Sequence, residues 1–370
     1  MPATDFTFDV CRFRKKQTMK EVNYSDYLQL EKILNAQVPE SDLLQQPAHD
    51  EMLFIIIHQA YELWFKQLLY EIDSVAAIMQ KPAVNDNSPQ LQTIVHRFNR
   101  VVTILKVLVH QIDIMETMTP MDFLDFRDML RPASGFQSWQ FKLVEAKLGL
   151  KYQHRHGQEY YISQLRPQQI ELIKKAESEK SFIELLNAWL ERMPFFEESD
   201  NWTNYKSVSG ASLQAEEGAG GKLFFDDYRH IYAAGLADVE KANLQYFDSV
   251  FADASAGGDR QLSPRASRAA LFIMLYRGFP ILQLPFQLLN SLLEIDEQLS
   301  TWRYRHMSMV HRIIGTRIGT GGSTGREYLK GALDKHYIFA EIARLTSFLI
   351  ERRRLPVLSD EMAKRLGFIG

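Results

Sequence analysis

Four places in this 370-residue chain set reactive or ligand-forming side chains against a neighbouring pattern that gives them work to do. His58 lies in FIIIHQAYELWFKQLL, an imidazole on an otherwise apolar helical face, with Phe54 one turn earlier. A lone histidine on such a face is usually a hydrogen-bonded core residue. A large aromatic wall beside it is what a pocket for a flat ligand requires. His306 lies in TWRYRHMSMVHRIIG, where Met, Trp and Tyr supply dry surroundings. An imidazole so placed can serve as an axial ligand to haem iron. His311 is five positions away, on another side of the same helix. The two cannot share a metal as an i,i+4 pair can, and one of them reads as core and the other as surface.

Arg127, in DFLDFRDMLRPASGF, follows Phe123 by one turn within an apolar face. Burying a guanidinium there requires an anionic partner, either a protein carboxylate, the commoner case, or the carboxylate of a ligand. Ser134 stands close by in the PASG turn. The run GTGGSTG, Gly319 to Gly325, exposes successive backbone N–H groups that can cradle an anion. It lacks the lysine of a phosphate-binding loop and no strand pattern precedes it, so its plain reading is a turn between helices.

The elements that must position these residues are helices. Apolar residues recur at three- and four-residue spacing, and alternating runs are scarce, which predicts an all-α helical bundle. From Glu51 to Met79 one stripe carries Phe54, His58, Tyr61, Phe65, Leu68, Ile72, Val75 and Met79; Asp50 is the expected N-cap, and Glu62 and Lys66 pair on the opposite face. Ser88-Pro89 starts a second long helix, and Thr119-Pro120 ends it and starts a third, which stops near Pro132. FQSWQFKLVEAKL is a fourth, closed by Gly149. Helical patterns resume at Ser263 and continue through PFQLLNSLLEIDEQLSTWRYRHMSMVHRIIG and REYLKGALDKHYIFAEIARLTSFLI. The chain reads as a single domain over 1–370, with a polar, glycine-rich surface excursion at about 196–227.

Composition narrows the classes. With 46% hydrophobic and 24% charged residues the chain is ordinary globular material. A net charge of −3 and interleaved charge signs give no basic field for nucleic acid. The single cysteine, Cys11, forms no intrachain disulfide, and no stretch reaches the length of a membrane span or signal segment. The expectation is a cytoplasmic protein without nucleic-acid or membrane partners.

Taken together, HDEMLFIIIHQAYELWFKQLLYEID, METMTPMDFLDFRDMLRPASGFQSWQFKL, the long segment ending TWRYRHMSMVHRIIG, GTGGSTGREYL and YSDYLQLEKILNAQ resemble the tryptophan 2,3-dioxygenase family, in the family's order. Only about 151–258 and the chain ends are unremarkable. The resemblance implies an all-α fold around haem b, with His306 the proximal iron ligand and Trp302 packed near it. It implies that His58, the candidate catalytic residue, lies on the distal side and hydrogen-bonds the indole N–H, with a role as base or as orienting group left open. Phe54 and Phe123 would wall the indole, Arg127 would grip the substrate carboxylate, and Thr320 and Ser134 would add polar contacts. Tyr24, Tyr27 and Leu28, within an N-terminal segment of about 1–40, would reach a neighbouring subunit's pocket in a homotetramer built as a dimer of dimers. The implied reaction uses O2 to cleave the C2–C3 bond of L-tryptophan. The pocket positions follow the family pattern, and Thr324 stands in GSTG where a second serine is common. Two other readings are an oxygenase of a related haem family acting on another aromatic substrate, and a helical interaction protein whose histidines are core.

Overall fold

The computed structural model describes residues 21–192, 198–208, 210, 219–252, 260–315, 317 and 326–367. Among them every regular element is helical, as the periodicity predicts. The first, α1 (Tyr24–Leu28), buries no residue. The long α2 (His49–Met79) buries Phe65, Leu68, Ile72, Val75 and Met79 on the predicted stripe. Its N-cap is Ala48 rather than Asp50. Asp50 and Glu51 stand instead in the first turn, where carboxylates meet the positive end of the helix. Buried Glu51 also accepts the N–H groups of Glu40 (2.8 Å) and Ser41 (2.9 Å), tying down the preceding short helix. Glu62 does not rely on Lys66; its Oε2 accepts from Gln140 Nε2 at 2.7 Å, because another helix covers that face.

Helix α3 (Pro89–Met115) begins as predicted, with Ser88 Oγ accepting from Leu91 N–H at 3.2 Å. Its stripe from Leu91 through Phe98, Leu105 and Ile112 packs chiefly on the long helix Pro280–Ile314 and then on α2. Thr119 and Asp122 cap α4 (Pro120–Arg127) reciprocally, satisfying two backbone N–H groups. The fourth expected helix starts later than its sequence pattern suggests. Gly135–Gln137 is a 3-10 turn capped by Ser134, and α5 runs only over Trp139–Leu148. Gly149 closes it at φ 147°, where a Cβ would stand 2.5 Å from Ile183 Cγ2.

The middle of the chain includes α6 (Phe182–Glu191), α7 (Ala219–Gly235) and α8 (Pro264–Leu275). The expected surface excursion is partly core. Trp202, Tyr205, Phe224 and Asp227 are buried, and Asp227 accepts from the hydroxyls of Tyr205 (2.9 Å) and Ser207 (2.8 Å) and from Val208 N–H (3.1 Å). Scattered aromatic residues without helical spacing concealed this packing from a periodicity reading. Residues 211–218 lie outside the described residues.

Helix α9 (Pro280–Ile314) starts five residues before the expected Pro285, which lies inside it and forgoes one backbone hydrogen bond. Helix α10 (Arg326–Lys335) does not continue to Ile350 as its spacing suggests. Asp296 of α9 accepts the N–H groups of Ile338 (3.1 Å) and Phe339 (2.6 Å) and starts a new short helix there. Burial pushes this carboxyl up to about 6. Among the described residues no single helix is long and apolar enough to cross a membrane; α8 and α9 reach that length only as a pair bent by 112°.

Candidate active site

A small apolar cluster forms where α2, α3, α4 and α9 converge, apart from the main core. It is built on Ile57, Ile112, Met115, Met118, Phe123, Phe126 and Met309, with Phe54, Tyr61 and Trp302 packed against it. The predicted residues of three separate sequence segments therefore meet at one place. Phe54 and Phe123 have ring centroids 5.8 Å apart, and Phe126 closes the set at 5.6 Å from Phe54 and 5.4 Å from Phe123. Edge-on and tilted contacts of this kind are the favoured arrangements of packed aromatic rings.

His58 is half-buried, its ring 4.1 Å from that of Phe54. Its Nδ1 lies 2.7 Å from the carbonyl oxygen of Phe54 in the preceding turn. A carbonyl only accepts, so Nδ1 carries the proton and donates. Burial holds the imidazole below its ordinary pKa, although the Phe54 carbonyl and Glu62 act in the other direction. The ring is then neutral at pH 7, and Nε2 presents a lone pair.

On α9, Trp302 and His306 lie one turn apart and stack face to face, 5.0 Å between centroids and 3° between planes. Trp302 also meets Phe141 at 4.9 Å and Tyr61 at 6.1 Å. Tyr61 donates its hydroxyl to the Leu108 carbonyl at 2.8 Å, and burial pushes the phenol up to about 12, so it stays protonated. His306 Nδ1 is buried without a hydrogen-bond partner among the described residues. Burial, reinforced by nearby His58, holds His306 down to about 4. His311 is exposed, which resolves the choice that spacing left open. Among the described residues no group of three or more His, Cys, Asp or Glu side chains is arranged to hold a bare metal ion. A neutral imidazole with an orphaned nitrogen, stacked on an indole within apolar surroundings, fits the single axial ligand of a flat iron macrocycle.

Arg127 ends α4, only 5% exposed, one turn beyond Phe123. Ser134 Oγ accepts from Phe136 N–H at 3.3 Å and so shapes the turn that follows. Thr320 and the glycine run fall outside the described residues. Tyr24 and Tyr27 are more than 70% exposed, and no residue of α1 is buried in the single chain. Sequence reasoning missed Phe126 and Phe141. Phe126 was within reach, since it follows Phe123 by three residues on the same helix; Phe141 reaches Trp302 across a tertiary contact that spacing does not carry.

Fold and site together define an all-helical protein with an aromatic site into which two helices bring neutral imidazoles. The chain belongs to the tryptophan 2,3-dioxygenase family, whose model matches residues 11–349. It is 44% identical over 366 residues to tryptophan 2,3-dioxygenase of Bdellovibrio bacteriovorus, covering 94% of this chain and 98% of that one. The Alteromonas mediterranea protein of that name is 42% identical, covering 95% and 99%, and that of Rattus norvegicus is 41% identical, covering 93% and 86%.

Proposed function

We propose that this chain catalyses the reaction its family is named for: both atoms of O2 enter across the indole C2–C3 bond of L-tryptophan, giving N-formyl-L-kynurenine, the first step of tryptophan catabolism by the kynurenine pathway. The observation that carries the reading is the pair of neutral imidazoles, His306 with a buried unpartnered nitrogen and His58 with a free lone pair, in one aromatic cluster. His306 would hold the iron of haem b from the proximal side, with Trp302 stacked on the ligand ring. Haem, when bound, supplies the activation of O2.

The remaining work belongs to the chain. His58 Nε2 accepts the indole N–H, because Nδ1–H is committed to Phe54. Burial lowers the basicity of this ring, and the bond it makes positions the indole. Phe54 and Phe123 flank the indole, and Phe126 backs them. Arg127 takes the substrate carboxylate through charge-assisted hydrogen bonds, with Ser134 and Thr320 adding polar contacts.

Tyr24, Tyr27 and Leu28 complete the pocket of a neighbouring subunit in a homotetramer arranged as a dimer of dimers. Their exposure in the single chain supports this, as does an apolar row on α2 formed by Met52, Ile56, Leu63 and Tyr70. A cytoplasmic location agrees with the single cysteine.

The test is an absorption spectrum of the purified, haem-reconstituted protein with and without L-tryptophan, alongside the absorbance of N-formyl-L-kynurenine during turnover. A Soret band perturbed by L-tryptophan and product formation are expected. Absence of the band would sink the haem assignment, and turnover of only some other aromatic ring would sink the substrate. His306→Ala should abolish stable haem retention, and full haem content with unchanged activity would refute its role.

A further inference from the structure

Helix α5 touches both histidine-bearing helices. At its start Gln140 Nε2 donates to the Glu62 carbonyl (3.0 Å) and to Glu62 Oε2 (2.7 Å), one turn beyond His58 on α2. One residue on, Phe141 lies between Phe65 of α2 (5.3 Å) and Trp302 of α9 (4.9 Å). One turn further, Glu145 is buried at 3% exposure, and its two oxygens serve two arginines. Oε1 accepts from Arg303 Nη2 at 2.6 Å and Oε2 from Arg155 Nη1 at 2.6 Å. Arg303 lies three residues before His306 on α9, itself 4% exposed, and its Nη1 donates to the His336 carbonyl at 2.9 Å. His336 is the first residue after α10, the helix that follows the glycine run. Its Nε2 accepts from His156 N–H at 3.0 Å, so its proton sits on Nδ1, which faces Glu145 Oε1 at 4.0 Å.

We propose that α5 is the bracket that sets the separation and rotation of α2 against α9, and that Glu145, through Arg303, is a positioning residue that aims His306. The proposal rests on His306 being the haem ligand. A guanidinium bonded at once to a buried carboxylate and to a backbone carbonyl resists both rotation and axial sliding of its helix. Arg303 stands within one turn of the ligand, so such a shift would move the imidazole directly. Surface ion pairs lack this leverage, because their ends remain free to follow water. Groups hydrogen-bonded directly to a metal ligand change metal affinity or activity by about 10–100-fold when removed, and that range is the ceiling for a support acting one turn away along the helix.

The test uses the haem-loaded full-length protein and two variants, Glu145→Gln and Arg303→Lys. The first removes the charge with little change of shape; the second keeps the charge but loses the forked contact, and serves if the first does not fold. The measurements are the rate of haem transfer to excess apomyoglobin and the iron–imidazole stretching band of the ferrous protein. Haem loss faster, by up to about 10–100-fold, together with a shifted band is the expected result. A lowered melting temperature with both haem measurements unchanged would reduce Glu145 to a structural residue and overturn the proposal. Wild-type protein that takes up haem with no imidazole stretching band, or a His306→Ala variant that keeps the wild-type band, would instead defeat the ligand assignment on which the proposal stands.

Discussion

At the scale of single residues, the tautomer of His58 decides what this ring can offer a ligand. A neutral ring with Nδ1–H spent on its own helix has one acceptor left and no proton to offer. His58→Phe should then weaken L-tryptophan binding by only a few-fold, the worth of one hydrogen bond of about 1 kcal/mol, as read from a spectral titration. If His58 were a general base, its loss would instead lower kcat by roughly 10²–10⁴-fold. If Arg127 grips the substrate carboxylate as proposed, Arg127→Ala should raise KM for L-tryptophan by a factor worth roughly 2–4 kcal/mol, the loss of a charged partner. An unaltered KM in steady-state assays would count against the clamp. These residues were legible because each sits in a short local pattern. Arg303 was not, because its meaning lies in a carboxylate 158 residues earlier.

Helices bring these groups together, and their ends are where sequence and structure agree most closely. Ser88-Pro89, Thr119-Pro120 and Ser263-Pro264 all act as cap and first residue, because a side-chain oxygen and a fixed proline φ are strictly local causes. Starts and stops without such chemistry were misplaced. Asp296 interrupts α10's pattern from another helix, and Pro285 is carried within α9. Thr119→Ala should cost about 1 kcal/mol in urea unfolding. It should also raise KM for L-tryptophan, because the helix it caps holds Phe123 and Arg127. Gly149→Ala combines a positive φ with a contact against Ile183. A loss of at least about 1 kcal/mol is expected, and a melting temperature equal to wild type would show that the α5 terminus relaxes freely.

For the whole molecule, the buried charges fix the response to acid. Burial holds His336 down to about 4, with Arg303 and Arg155 acting in the same direction and Glu145 against them. Its ordinary value is 6.5, so between these values the unfolded chain binds the extra proton. Stability from this residue is complete above pH 6.5 and is lost as pH falls toward 4, on the order of 3 kcal/mol in total. Asp296, raised to about 6, works oppositely over part of that range, so the comparison must be between proteins. His336→Gln keeps an acceptor for the His156 N–H and should flatten the acid limb of urea midpoints measured from pH 7 to pH 4. A parallel limb would contradict the assignment.

The pairing of α3 with α9 also sets a timetable. The apolar face of α3 is complete once Met115 has been synthesised, yet the helix that covers most of it ends at Ile314. At about 5–20 residues per second a ribosome needs roughly 10–40 seconds to deliver that cover. Throughout that interval the nascent chain carries an open oily surface, so yield in a host cell should depend on slow growth and on chaperones far more than the finished protein's stability would suggest.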